Sequence, residues 1–147
     1  MSPKPTQKPF RLALTLPIPP AGSNHAYKNV TMHSKLGKRF IGRRLTPESE
    51  FWRENASLAA QEAMRVSGLE LVLREQLSVD CVIFWMDKRS QCDCDGILKL
   101  PLDALNGIVY SSDKFVLPRV LSTGYDAENP RIEMTISCPP TKFMEIA

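Results

Sequence analysis

Phe10, Leu12, Leu14 and Leu16 alternate with Arg11, Ala13 and Thr15, the period of two that a strand with one buried face requires. Ile132, Met134, Ile136 and Cys138 repeat this pattern against Glu133, Thr135 and Ser137. Between them, "LSVDCVIFWM" is apolar on nearly every side, which predicts a central strand covered on both faces. Phe115 to Leu121 is a further strand, limited to an edge or a bulge by Pro118, which has no N–H to give a ladder. The period changes after Thr46. There Thr46 serves as N-cap, Pro47 occupies the first helical position, and Glu48 and Glu50 face the positive end of the helix dipole. The helix runs to about Val66 and stops at Gly68, with a broad apolar stripe of Phe51, Trp52, Leu58, Ala59, Ala63 and Val66. On that stripe Trp52 is a core residue and not a platform for a base. "PIPPAGSN" is a loop, and "KLGKRFIGRR" is a short hairpin or a mobile basic loop. A second helix follows the central strand. The order β, loop, α, β, α, β, β defines a mixed α/β (α+β) domain with a mixed sheet of about four strands and two main helices.

A chain of 147 residues suits one domain. Six of its twelve prolines lie in the first twenty residues and rule out an N-terminal helix. The domain is therefore expected over residues 10–138, with residues 1–9 and 139–147 as tails. The longest apolar run, Cys81 to Met86, is far short of a membrane span, and no basic-then-apolar signal opens the sequence. A cytoplasmic protein without membrane attachment is expected. The net charge of +3 conceals an asymmetry, because residues 1–44 hold nine Lys or Arg and no Asp or Glu. The remainder carries 10 − 16 = −6. One end of the chain suits phosphate and the other suits cations.

The segment "QCDCDGILKLPLDALNG" interleaves sulfur and oxygen ligands. If residues 91–95 extend the central strand, Asp93 and Asp95 project to one side and Cys92 and Cys94 to the other. Zinc needs four soft ligands in local pairs, whereas Cys81 and Cys138 lie far off in apolar strands. Four reduced, mostly packed thiols are the expectation. Two carboxylates about 4 Å apart repel by roughly 4 kcal/mol at an effective dielectric of 20. A hard divalent cation such as Mg²⁺ or Mn²⁺ removes that repulsion. A calcium loop is excluded by the position of Gly96. Lys99 and Asp103 follow Asp95 by four and eight positions and share its face on a helix, although Pro101 would kink that helix or delay it. Asp113 falls at the start of the next strand, in reach of the first two aspartates. The D-x-D pair alone reads better as exposed turn acids. Three carboxylates beside one lysine favour a metal and phosphate site.

Asp93, Asp95, Lys99, Asp103, Ala104, Leu105, Gly107, Tyr110, Asp113 and Val116 reproduce the motif of the RusA family of Holliday junction resolvases, which this chain resembles. "PPAGSNHAY" resembles the same family's N-terminal segment, and the likeness extends from about Phe10 to Cys138. Gly96, Ser112, Phe115 and Pro101 depart from the family pattern. The resemblance implies a homodimeric α/β endonuclease of phage or prophage type, acting in DNA recombination and repair. It would bind branched DNA and resolve four-way junctions by paired symmetric nicks with Mg²⁺, or with Mn²⁺ in its place. It implies Asp93, Asp95 and Asp113 as metal ligands and catalytic residues and Lys99 as a catalytic cation; Asp103, ranked fourth for the metal, reads as a weak metal neighbour, a partner for Lys99 or a helix surface acid. Lys28, Lys35, Lys38, Arg39, Arg43 and Arg44 are the expected DNA contacts, with Asn24. For Asn24 and Tyr27 a turn or packing role competes, and His25 and His33 are expected at the surface. A module that grips branched DNA without cutting is the alternative, motivated by Gly96 and Ser112. A D-x-D nucleotide-sugar transferase is disfavoured by the chain's length.

Overall fold

In a computed structural model, residues 9–138 are described, apart from the side chains of Ser23 and Asn24. The proposed role of Asn24 and nearly all of both expected tails therefore fall outside the described part. Strand β1 (Arg11–Pro17) leads through the proline loop to a single helical turn, α1 (Ser23–Ala26). Strands β2 (Tyr27–His33) and β3 (Arg39–Leu45) form a hairpin, followed by α2 (Pro47–Ser67), β4 (Leu77–Trp85) and α3 (Cys94–Ala104). A 3₁₀ turn (Asp113–Phe115) opens β5 (Val116–Tyr125), and β6 (Arg131–Ser137) completes the domain. The main sheet has the order β1-β6-β4-β5, and β2-β3 is a separate two-stranded sheet. This is the expected mixed α+β class, with the basic segment resolved as a hairpin.

β4 lies inside the sheet, parallel to β5 and antiparallel to β6. Its doubly apolar sequence fits that place. Pro118 sits in β5, the edge strand, where its missing N–H does least harm. A bulge opposite Cys81 and Val82 accommodates one extra residue of β5. Leu12, Leu14 and Leu16 meet Ile136, Met134 and Ile132 across the β1–β6 ladder, and all six are buried.

Helix α2 starts as its sequence dictates, with Thr46 accepting a hydrogen bond from the Ser49 N–H, and it ends at Gly68 in the left-handed region. The buried face differs from the expected stripe. Trp52, Ala56, Ala60 and Met64 are buried together with Ser49, while Phe51, Leu58 and Val66 are exposed. Small residues at a spacing of four let the helix axis approach the sheet, so the row of alanines wins over the larger side chains beside it.

The path after β4 also departs from expectation. The strand ends at Trp85, a loop follows, and Asp93 is already the N-cap of α3. Asp95 stands in the first turn of a helix, so the alternation assumed for residues 91–95 does not apply. Pro101 is accommodated inside α3 and buried, although it removes the donor that would meet the Ile97 carbonyl. Of the thiols only Cys81 is buried, whereas Cys92 and Cys138 are exposed and Cys94 is intermediate. Cys138 lies one residue past β6 and is not the strand residue that alternation made it. Burial, with Asp80 adding to it, pushes the Cys81 thiol up to about 12. In the native protein Cys92 and Cys138 are expected to react at once with a thiol reagent at pH 8. Cys81 should react only after denaturation, which a time course of labelling read by mass would check.

Candidate active site

Helix α3 is held at both ends. Near its start, the loop after β1 approaches so closely that a Cβ on Gly22 would stand 3.9 Å from the Gly96 carbonyl carbon. At its end, the Ser57 hydroxyl of α2 donates to the Ala104 carbonyl at 2.9 Å, and the Tyr110 hydroxyl donates to the Leu102 carbonyl at 2.6 Å. The turn that delivers Tyr110 depends on Gly107 at φ 78°, a conformation that side chains rarely adopt. Its N–H reaches the Tyr110 carbonyl at 2.8 Å. Tyr110 is buried and lies near both Asp103 and Asp113, and burial first, then those charges, raise its phenol.

This framework exposes one face of α3 to an open cleft of about 400 Å³. Cys94, Asp95, Leu98, Lys99 and Leu102 line it from the helix. Asp113, Pro118 and Val120 close the other side from the 3₁₀ turn and β5. Asp95 and Lys99 thus share a face in spite of Pro101, and Asp113 comes to them from the far end of a separate loop. Asp103, one further turn along α3, has its carboxyl within hydrogen-bonding reach of Asp113 and close to Lys99. It also accepts a hydrogen bond from the Tyr27 hydroxyl at 3.0 Å.

The electrostatics follow from this crowding. Burial raises the Asp103 pKa most, and the neighbouring Asp113 carboxyl raises it further, against the opposing effects of Tyr27 and Lys99. Burial and the Asp103 carboxylate likewise raise Tyr27. Asp103 beside Asp113, with open space in front of them, provides the donor set a hard cation takes. Mg²⁺ commonly binds through one or two carboxylates and fills its remaining positions with water and substrate phosphate. Among the described residues, no group of three or more His, Cys, Asp or Glu side chains is gathered to hold a metal ion. Asp93 does not line the cleft. It is an exposed N-cap whose side chain makes no capping hydrogen bond.

Six basic side chains singled out in the sequence lie on the hairpin and its turn: Lys28 on β2, Lys35 and Lys38 at the turn, and Arg39, Arg43 and Arg44 on β3. Arg43 stacks over the Tyr27 ring at 5.1 Å from its centroid, so the base of this arm touches the carboxylate cluster through one tyrosine. His25 and His33 are exposed, as expected. The site residues missed by the sequence are Tyr27 in its bridging role, Tyr110 as the support beneath the acids, and Cys94 as part of the wall. No spacing rule connects residue 27 to residue 103, although Tyr27 and Tyr110 both lie in the segments that carry the motif.

Carboxylates and a lysine in an open cleft, beside a basic arm, are the equipment of an enzyme that handles phosphodiesters. Residues 17–137 match the family model described as endodeoxyribonuclease RusA, and the chain belongs to this family of Holliday junction resolvases. No curated relative matches the chain. Among the described residues, no helix is long and apolar enough to cross a membrane.

Proposed function

We propose that this protein is a Mg²⁺-dependent resolvase that acts as a homodimer and makes paired symmetric nicks in four-way DNA junctions. The observation that carries this reading is the shared cleft of Asp95, Lys99 and Asp113, contributed by separate elements and flanked by Asp103. Asp95 and Asp113 would hold the cation with Asp103 beside them, and Asp93, at the helix N-cap outside the cleft lining, would have to turn in to join them. When bound, the ion supplies Lewis-acid polarisation of the scissile phosphate and an activated water for in-line attack. Mn²⁺ serves the same donor set.

The chain's own groups do the rest. Lys99 meets the non-bridging phosphate oxygens and neutralises charge that gathers on them as the P–O bond breaks. Tyr27 fixes the Asp103 carboxyl, so that the acid nearest Asp113 keeps one orientation. Lys28, Lys35, Lys38, Arg39, Arg43 and Arg44, together with Asn24, hold the DNA backbone, and binding weakens steeply with salt. A junction has approximate twofold symmetry and needs two strands cut, which a C₂ dimer provides by presenting one site to each. The nuclease domain spans about residues 10–138, and the enzyme works in the cytoplasm on recombining DNA.

The departures at Gly96 and Ser112 favour a second reading, a module that grips junctions without cutting them. A labelled four-way junction incubated with Mg²⁺, Mn²⁺ or EDTA separates the two. Symmetric nicks that require the metal are expected. Tight binding in EDTA with no cleavage under either ion would establish the module instead, and absence of both would remove the whole reading.

A further inference from the structure

The β2–β3 hairpin has two unlike faces. On one, Lys28, Val30 and Met32 face Arg44, Gly42 and Phe40: Met32 pairs with Phe40 across the ladder, and a Cβ on Gly42 would collide with the Met32 sulfur. Its apolar pairs toward the turn hold the arm's two strands to each other, and Lys28 and Arg44 lie opposite one another at its base. The opposite face runs from Tyr27 and Leu45 through Asn29 and Arg43, Thr31 and Ile41, to His33 and Arg39. Six residue steps make it about 20 Å long. Its base is Tyr27, which is bonded to Asp103. A track of alternating arginine and apolar side chains therefore leaves the cleft and ends at the turn.

Two large apolar residues on this arm have no packing role. Ile41 is 78% exposed between Arg39 and Arg43, and Leu36 is 91% exposed at the tip. The tip is a three-residue loop closed by the Ser34 N–H to the Lys38 carbonyl at 2.8 Å, with Gly37 at φ 80°. Such a turn is satisfied by Asn, Asp, Ser or Gly, and nothing in its geometry asks for leucine at position 36. Lys35 and Lys38 flank that leucine, and residues 1–44 contain no acidic side chain. The charge fits a polyanion, and the apolar groups fit something that a polyanion exposes only in places.

Building on the resolvase reading, we propose that this arm reads the branch point, with Arg39 and Arg43 on phosphates and Ile41 and Leu36 wedged against bases where the strands part. Apolar wedges enter DNA at the expense of unstacking. That expense is least where bases are already unpaired or poorly stacked, as at the centre of a junction. Linear duplex offers the same phosphates without such an opening. Ile41 and Leu36 thereby give selectivity for branched DNA, while the arginines give affinity for DNA in general.

The test uses the full chain in EDTA, a four-way junction with 2-aminopurine at the branch point, and a linear duplex of equal length. The wild-type protein is expected to change the 2-aminopurine fluorescence on binding the junction. Leu36→Ser combined with Ile41→Ser should lose about tenfold in junction affinity, the size of one lost base contact. That variant should also lose the fluorescence change while binding linear duplex as before. Leu36→Met with Ile41→Leu should restore both. Equal loss on both DNAs, or wild-type junction affinity with the fluorescence change intact, would overturn the proposal. A wild-type protein that binds no junction overturns the resolvase reading itself, a separate result.

Discussion

Asp113→Asn is expected to remove nicking of a four-way junction, lowering the rate in Mg²⁺ by about 10³-fold or more, while junction affinity in EDTA stays level or rises. The rate falls because Asp113 brings to the cleft the one carboxylate that does not come from α3, opposite Asp95 and Lys99. Loss of a single preorganised electrostatic partner ordinarily lowers a rate by about 10²–10³-fold, and loss of a carboxylate that also holds the ion exceeds this. Affinity does not suffer, since a negative charge beside the DNA backbone disappears. Asp95→Asn and Asp93→Asn should behave alike, and Asp103→Asn should be milder. Asp126→Asn is a control, because Asp126 pairs with Arg131 away from the cleft. The Asp113→Asn substitution should also stabilise the fold at neutral pH. Asp113 is among the causes that raise the Asp103 pKa, and a carboxyl raised in the folded state favours folding most when protonated. That contribution is complete below the ordinary aspartate pKa of about 4 and is lost as pH rises through the raised value. A melting curve should therefore place Asp113→Asn above wild type at pH 7 and level with it at pH 4. Retained nicking at the wild-type rate would take the central role away from Asp113.

Parts of this architecture were legible because local rules and tertiary demands agree. Thr46, Pro47 and Gly68 bound α2 by capping chemistry alone, and the alternation in β1 and β6 matches a sheet with one buried face. Pro118 announced an edge strand for the same local reason. Other features depend on neighbours that no window of sequence contains. Phe51, Leu58 and Val66 are more hydrophobic than Ala56 and Ala60, yet the alanines are buried because they permit close approach to the sheet. The Asp93–Asp95 pair was placed on an extended segment by proximity to β4, whereas the turn into α3 comes earlier and separates the two acids into an N-cap and a helical residue. The grouping of Asp95, Lys99 and Asp113 followed from helical spacing and motif likeness. Tyr27 beside Asp103 arises from a contact between residues 76 positions apart and has no sequence signature.

Tyr110→Ala is expected to cost about 3–5 kcal/mol of stability, as for other buried aromatics cut to alanine, whereas Tyr110→Phe should cost only about 1 kcal/mol for one hydrogen bond. The two substitutions separate support from packing. Tyr110 is 1% exposed in the core, so the alanine variant leaves a cavity beneath α3 and orphans part of the Leu102 carbonyl's bonding. Chemical denaturation should report it as a lower midpoint with little change in slope. The phenylalanine variant keeps the ring and removes only the hydroxyl that ties the loop after α3 to the helix's last turn. Leu102 lines the cleft, Asp103 follows it, and Asp113 lies three residues past Tyr110, so that hydroxyl sets the distance between the two acids. Nicking by the folded Tyr110→Phe variant should then fall about 10-fold or more, as for the loss of a group that orients metal ligands, and higher Mg²⁺ should recover part of it. A wild-type rate and unchanged Mg²⁺ dependence in Tyr110→Phe would show that the turn at Gly107 and the 3₁₀ turn at Asp113 hold the acids in place without the tyrosine hydroxyl.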